Sequence, residues 1–366
     1  MYRIALVMIV RDEARSVERC LASAFPWVDE MVVLDTGSRD ATPVIARHMG
    51  AQVSHFTWSD DFAAARNAAL ALTDAPWRLI LDGDEWITHG GACLDALRRQ
   101  APAFIGQINV TSLLDPSAGN GAGAAPSWLA RVLPAGIAYE GRVHEQPAST
   151  LARQRLPLVV AHDGYLDAQK ARKAGRNETL LTLALAEQPD DAYLHYQLGK
   201  DLEVRARFDA ALPHYLRALA RVEPCAAWRH DLVVRTIFTL KKCGCLDEAV
   251  ALADAELPRW PASPDFHFAM GDLFLDCAAA APASAGPWLV RVEASWLRAL
   301  EIGEQPHLQD SVRGRGSFLA AYNLSVLHGG LGRTDAAAHW RERAVAMRRQ
   351  SEIFPDVPTA PGALHA

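Results

Sequence analysis

The sequence predicts two domains of different class: an α/β domain with a mostly parallel sheet over residues 1–165, then an all-α helical-repeat solenoid over 166–350, with 351–366 as a disordered tail. Three observations lead there. At 366 residues, half of them hydrophobic and 22% charged, the chain exceeds what a single hydrophobic core usually holds. Up to about Val160, short apolar runs alternate with amphipathic stretches, the pattern of a parallel sheet covered by helices. After about Tyr165 the strand patterns vanish and helical period takes over.

Each element has its own signal. Tyr2–Val10 is a run of β-branched and apolar residues too short for a signal-peptide core and followed directly by RDEAR, so it reads as a buried strand. Glu30–Leu34, Gln52–Phe56 and Trp77–Leu81 are further short strands. Between them Ala14–Ala24, Pro43–Met49 and Phe62–Leu72 have helical spacing, with Thr42 as N-cap and Pro43 at the first helical position. Asp115–Pro126 reads as a glycine-rich loop. Its Gly119, Gly121 and Ala124 match a GxGxxA spacing, but no strand leads in and no helix leads out, so it is no dinucleotide fingerprint.

The second half repeats. In Ala192–Pro224, Leu198-Gly199, Ala211, Tyr215, Ala218 and Pro224 fall at tetratricopeptide-repeat offsets, with small residues where paired helices touch. Further units carry Leu240, Ala249 and Pro261; Met270-Gly271, Phe274 and Ala299, broken by an Ala/Pro-rich insertion Ala278–Pro287; and Leu324, Ala337 and Ala344. Helical hairpins of this kind bury their faces only by stacking.

Composition excludes several functions. A net charge of -6 gives no field to hold a polyanion, and only five of the 37 basic residues are lysine. No nucleic-acid partner is expected. No apolar run reaches 18 residues, because Asp272, Asp276 and prolines interrupt Phe266–Val290, so no membrane span is expected. Six cysteines without a CxxC pair read as reduced thiols of a cytoplasmic protein, with peripheral attachment to an inner membrane left open.

The chemistry-bearing segments follow strands. In LILDGDEW, Asp82 and Asp84 flank a glycine on a tight turn, an arrangement that can hold a hard divalent cation and leave positions for phosphate oxygens; an ordinary Asp-Gly turn with Glu85 as a cap is the alternative. VLDTGSRD places Asp35 at a strand end, and DDFAAARN supplies Arg66.

The order VMIVRDEARSVERCLAS, DEMVVLDTGSRDAT, WSDDFAAARNAAL, WRLILDGDEW resembles the inverting family 2 glycosyltransferases, whose catalytic domain has the Rossmann-like GT-A fold. The resemblance covers Tyr2–Trp86 strongly and reaches Glu145 more weakly. It implies transfer of a sugar from a nucleotide sugar, with Mn²⁺ or Mg²⁺ on Asp84, the metal-binding end of a DxD signature. It also implies nucleoside contact by Asp35, nucleotide-pocket charge from Arg66, and ribose or donor-sugar contact by Asp82. Glu13, with Asp12 beside it, sits where the family contacts the nucleotide, helix capping being the competing role. In YEGRVHEQ, Glu145 is the expected base and His144 a metal or phosphate ligand; the reverse assignment stays open, because neighbours on an extended segment face opposite sides. His162 is a further metal candidate beside its reading as a buried, hydrogen-bonded histidine. Trp58 and Trp86 are wall residues or core.

Joined to the repeats, the expected activity is metal-dependent transfer from a UDP-sugar to a peptide or cell-envelope glycan. The repeats would recruit the acceptor, a protein partner or a second copy. An interaction scaffold with an idle transferase domain competes, and retention of Asp35, Asp82, Asp84 and Glu145 argues against it. A nucleotidyltransferase is disfavoured because VRDEARS lacks the glycine-rich phosphate loop.

Overall fold

A computed structural model describes residues 1–112, 126–163, 175–308 and 311–353. The glycine-rich loop up to residue 125 and the tail from 354 lie outside the described residues. The chain divides into two compact units, Met1–Pro189 and Asp190–Ala366.

The first unit is built on β1 (Ile4–Val10), β2 (Glu30–Asp35), β3 (Gln52–His55), β4 (Trp77–Ile80), β5 (Glu85–His89), β6 (Ile105–Ser112), β7 (Pro126–Pro134) and β10 (Arg153–His162), in the order β3-β2-β1-β4-β7-β6-β10-β5. β8 (Tyr139–Glu140) and β9 (Gln146–Pro147) form a separate hairpin. β1, β2, β3 and β4 pair in parallel, as do β6 and β10; β7 is antiparallel to both neighbours, and β5 to β10. The central parallel strand β1 reads as a continuous apolar run because both of its faces are covered: Ile4, Leu6 and Met8 pack into one cluster and Ala5 and Val7 into another.

Helices α1 (Val17–Ala24), α2 (Thr42–His48), α3 (Phe62–Leu70), α4 (Cys93–Leu97) and α5 (Arg176–Glu187) belong to this unit. Asp61 caps α3 by accepting from the Ala64 amide at 2.9 Å. Thr42 is not the expected N-cap. It lies inside α2, behind Ala41, and its hydroxyl instead accepts from the Glu13 amide at 2.8 Å, tying the loop after β1 to the start of α2.

The second unit contains four helix pairs among its described residues: α6 (Ala192–Val204) with α7 (Phe208–Leu219), α8 (Arg229–Lys242) with α9 (Leu246–Glu256), α10 (Pro264–Ala280) with α11 (Ala285–Ile302), and α12 (Phe318–Gly330) with α13 (Thr334–Ile353). The small residues sit where the repeat pattern requires. A side chain at Gly199 would meet the Tyr215 ring at 2.5 Å, and one at Gly271 the Trp296 ring at 2.3 Å. The Ala/Pro-rich insertion does not break the third pair. It is absorbed into longer helices of 17 and 18 residues around a 3-10 turn at Pro282–Ser284, because alanine is the best helix former and proline is tolerated at a helix start. Among the described residues no single helix is long and apolar enough to cross a membrane.

Candidate functional site

The site gathers at the carboxyl ends of the parallel strands, where the chain leaves the sheet and ligands of such folds bind. β1 lies between β2 and β4, so Glu13 after β1, Asp35 ending β2, and Asp82 and Asp84 after β4 share one edge. The Asp82–Asp84 turn then carries the chain from the middle of the sheet to edge strand β5, whose Glu85 pairs with His162 on β10. That pairing brings the His162 Nε2 to 3.4 Å from the Asp84 carboxylate, which is 4% exposed.

Asp82 is held differently from Asp84. Its Oδ1 accepts from Arg66 and its Oδ2 from Arg131, both at 2.8 Å. Burial alone would raise this carboxyl, but the Arg131 and Arg66 charges outweigh it and hold Asp82 well below the usual carboxylate range. Glu85 accepts from Arg131 at 3.0 Å and from the Asp82 amide at 2.9 Å; burial lifts its carboxyl above the ordinary value despite Arg131. Arg66 also donates through Nε to Glu145. The result is a continuous line, Glu145, Arg66, Asp82, Arg131, Glu85, drawn from β5, α3, β7 and the β8–β9 hairpin and lying beside Asp84. The remaining Arg66 nitrogen, NH1, is buried without a hydrogen-bond partner.

The hairpin that presents Glu145 is pinned to α3. Asn67 donates to the Tyr139 carbonyl at 2.9 Å and accepts from its amide at 2.7 Å, and the Phe62 amide donates to the Arg142 carbonyl at 2.8 Å. His144 is not on an extended segment. It has left-handed backbone, φ 54°, and with Gly141 at φ 95° it closes the turn between β8 and β9.

Glu13 lies against the Asp82–Asp84 turn. A Cβ at Gly83 would stand 3.1 Å from the Glu13 Cβ and Cγ, a tight contact that a larger residue could make only if the Glu13 side chain shifted by a few tenths of an ångström. The Glu13 carbonyl accepts from the Val17 amide at the start of α1, and its carboxylate accepts from the Ser16 hydroxyl at 3.0 Å. Asp12, at φ 55°, accepts from the Arg39 amide at 2.7 Å and holds the loops after β1 and β2 together. Asp35, 3% exposed, accepts from the Gly37 amide at 3.3 Å and the Ser38 amide at 3.2 Å, with the His55 Nδ1 at 3.3 Å. Strand spacing puts it about 10 Å across β1 from β4.

Four residues escaped sequence reasoning: Arg131, Asp163, Arg15 and Arg19. Asp163 accepts from Arg15 at 2.7 and 2.8 Å and from Arg19 at 2.6 Å, and its amide donates to the Asp84 carbonyl at 3.3 Å. The two arginine hydrogen bonds overcome burial and hold its carboxyl below the ordinary value. The Arg19 guanidinium lies 3.4 Å from the Trp86 ring centre, so Trp86 is a wall of this cluster. Trp58 instead donates to Asp60 at 2.8 Å, ahead of α3. The one legible signal was Arg131, a lone charge inside the apolar run PSWLARVLP, which a buried strand tolerates only with a carboxylate partner.

The buried Asp84 carboxylate and the partly exposed His162 ring form an oxygen and nitrogen donor pair that fits a divalent cation. Among the described residues no group of three or more His, Cys, Asp or Glu side chains converges for that purpose. A two-donor site leaves most positions on the ion to solvent or phosphate oxygens.

Residues 5–112 match glycosyl transferase family 2. The chain is 35% identical over 273 residues to a TPR repeat-containing protein of Synechococcus elongatus, covering 70% of this chain and 66% of that one. It is 23% identical over 269 residues to the SPbeta prophage-derived glycosyltransferase SunS of Bacillus subtilis, covering 69% and 63%. The chain thus spans just under two thirds of the length of these curated relatives. Among solved structures it is similar to MamA (41-end) from Desulfovibrio magneticus, 14% identical, covering 50% of this chain and 93% of that chain with a TM-score of 0.38.

Proposed function

On the premise that residues 5–112 form a domain belonging to glycosyl transferase family 2, followed by tetratricopeptide helix pairs, we propose that this protein is a metal-dependent inverting glycosyltransferase. Its donor is a nucleotide diphosphate sugar, a UDP-sugar by preference, and its acceptor a peptide or a cell-envelope glycan. The observation that carries this reading is the meeting, at one strand edge, of the Asp84–His162 donor pair with the line Glu145, Arg66, Asp82.

Asp84 and His162 are the residues that would hold the cation, and their mixed donor set suits Mn²⁺ better than Mg²⁺. When bound, the ion neutralises charge on the diphosphate. Asp35 contacts the nucleoside. Glu145 takes the proton from the acceptor hydroxyl or thiol as that atom bonds to the anomeric carbon, while the bond from that carbon to the diphosphate oxygen breaks and its electron pair leaves with the diphosphate. Inversion follows from the single displacement. Arg66 adds positive charge where the leaving group gains negative charge. His144 stays a second metal or phosphate ligand from the hairpin, and Glu13 a nucleotide contact. The helix pairs recruit the acceptor, a partner or a second copy of the chain.

The test is transfer or hydrolysis with a panel of nucleotide sugars and Mn²⁺ or Mg²⁺, in wild type and Asp84→Ala. Undiminished turnover in the variant refutes the site. Calorimetry with UDP and Mn²⁺ separates the enzyme from an idle-domain scaffold, since no heat at millimolar ligand favours the scaffold.

A further inference from the structure

Arg131 stands on β7, which pairs with β4 in the sheet but lies 49 residues along the chain from Asp82, and no motif singles it out. One of its guanidinium nitrogens reaches both Asp82 Oδ2 at 2.8 Å and Glu85 Oε1 at 3.0 Å. Both Asp82 oxygens are thereby taken by arginines, one each. Asp82 is in consequence less a cation ligand than a hub: held by Arg131 on one side, it fixes Arg66 on the other, and Arg66 fixes Glu145. A guanidinium keeps its charge at every working pH and holds its N–H groups in one fixed plane, whereas an ammonium is a strongly hydrated point charge on a flexible stem whose donors rotate.

We infer that Arg131 is a positioning residue: through Asp82 and Arg66 it sets where the Glu145 carboxylate stands relative to the acceptor. The inference rests on the proposed role of Glu145 as base. It does not ask Arg131 to touch substrate. A purely structural role would be met by neutralising Asp82 and Glu85, whereas a positioning role needs the two-carboxylate grip.

The experiment follows the Arg66 Nε–H group in the full chain by ¹⁵N-arginine NMR, the resonance being assigned by its loss in Arg66→Lys. The variants are Arg131→Lys, which keeps the charge, and the charge-matched double variant Arg131→Met with Glu85→Gln, which keeps the fold attainable. In both, exchange of the Arg66 Nε–H with solvent is expected to quicken by about tenfold or more. With an active donor, kcat is expected to fall by more than about tenfold while the donor KM stays within about threefold. Unchanged Arg66 exchange in both variants overturns the inference, and so does full kcat in Arg131→Lys, because charge alone then suffices. If the wild type turns over no nucleotide sugar while Arg66 exchange still responds, the coupling stands and the glycosyltransferase reading is what fails.

Discussion

Replacing Asp82 by alanine is expected to act on stability first. The side chain is 33% exposed and takes two guanidinium nitrogens at 2.8 Å, so the loss lies between that of a surface pair and that of a buried one. Breaking a fully buried pair costs about 3–5 kcal/mol, an exposed one at most about 1. Each arginine retains one carboxylate, Glu145 for Arg66 and Glu85 for Arg131, which limits the stranded charge. The expected loss is about 2–3 kcal/mol, or about 5–10 °C in the midpoint of a unit of this size. The pH dependence has a definite sign. The folded carboxyl titrates well below its unfolded value, so its contribution is fully present above about pH 4 and is lost as pH falls toward the folded pKa. Differential scanning fluorimetry of wild type and Asp82→Ala from pH 7 to pH 3 should show a gap that is constant down to about pH 4 and then narrows. Equal midpoints at pH 7, or a gap that widens in acid, would mean that the two arginines do not depend on Asp82.

Three further outcomes follow from other contacts. Gly199→Ala forces a methyl into the Tyr215 ring at 2.5 Å; against a helix-propensity gain of about 1 kcal/mol, overpacking of up to about 3 leaves a net loss near 2 kcal/mol in urea unfolding, whereas Gly286→Ala, with nothing within 4 Å, should lose nothing. Asp163→Asn removes the shared partner of Arg15 and Arg19 and should change the emission of Trp86 and cost about 1–2 kcal/mol, read by fluorescence and by thermal unfolding. His214, half-buried and 2.9 Å from His195, is pushed down to about 4 by burial and then by the charges of His195 and Arg217. Its folded value lies below the unfolded one, so stability should drop by at most about 3 kcal/mol as pH falls from about 6.5 toward 4, and His214→Gln should flatten that slope.

β1, β2 and β4 were legible because burial on both faces makes each a largely apolar run, whereas the parallel pair β6 and β10 mixes polar with apolar residues and gave no such signal; the four helix pairs were legible because close contact demands a small residue at a fixed offset, as Gly199 beneath Tyr215 and Gly271 beneath Trp296 demonstrate. Loop chemistry was harder to read. Thr42 matches an N-cap by composition, yet its hydroxyl is taken by the Glu13 amide. The segment around His144 looked extended but turns with positive φ. Such outcomes depend on which group arrives from elsewhere in the chain.

Local sequence by itself determined the class of the two domains and the identity of the strand-end carboxylates, since both are properties of short windows: periodicity, apolar runs, and a polar residue where a run stops. Only the tertiary structure decided what those carboxylates do. Asp82 and Asp84 are two residues apart and chemically identical, but β7 places Arg131 against the first and β10 places His162 against the second. A carboxylate's role is set by the charge that faces it. Here those partners lie 49 and 78 residues away, joined to the turn only by the pairing of the sheet.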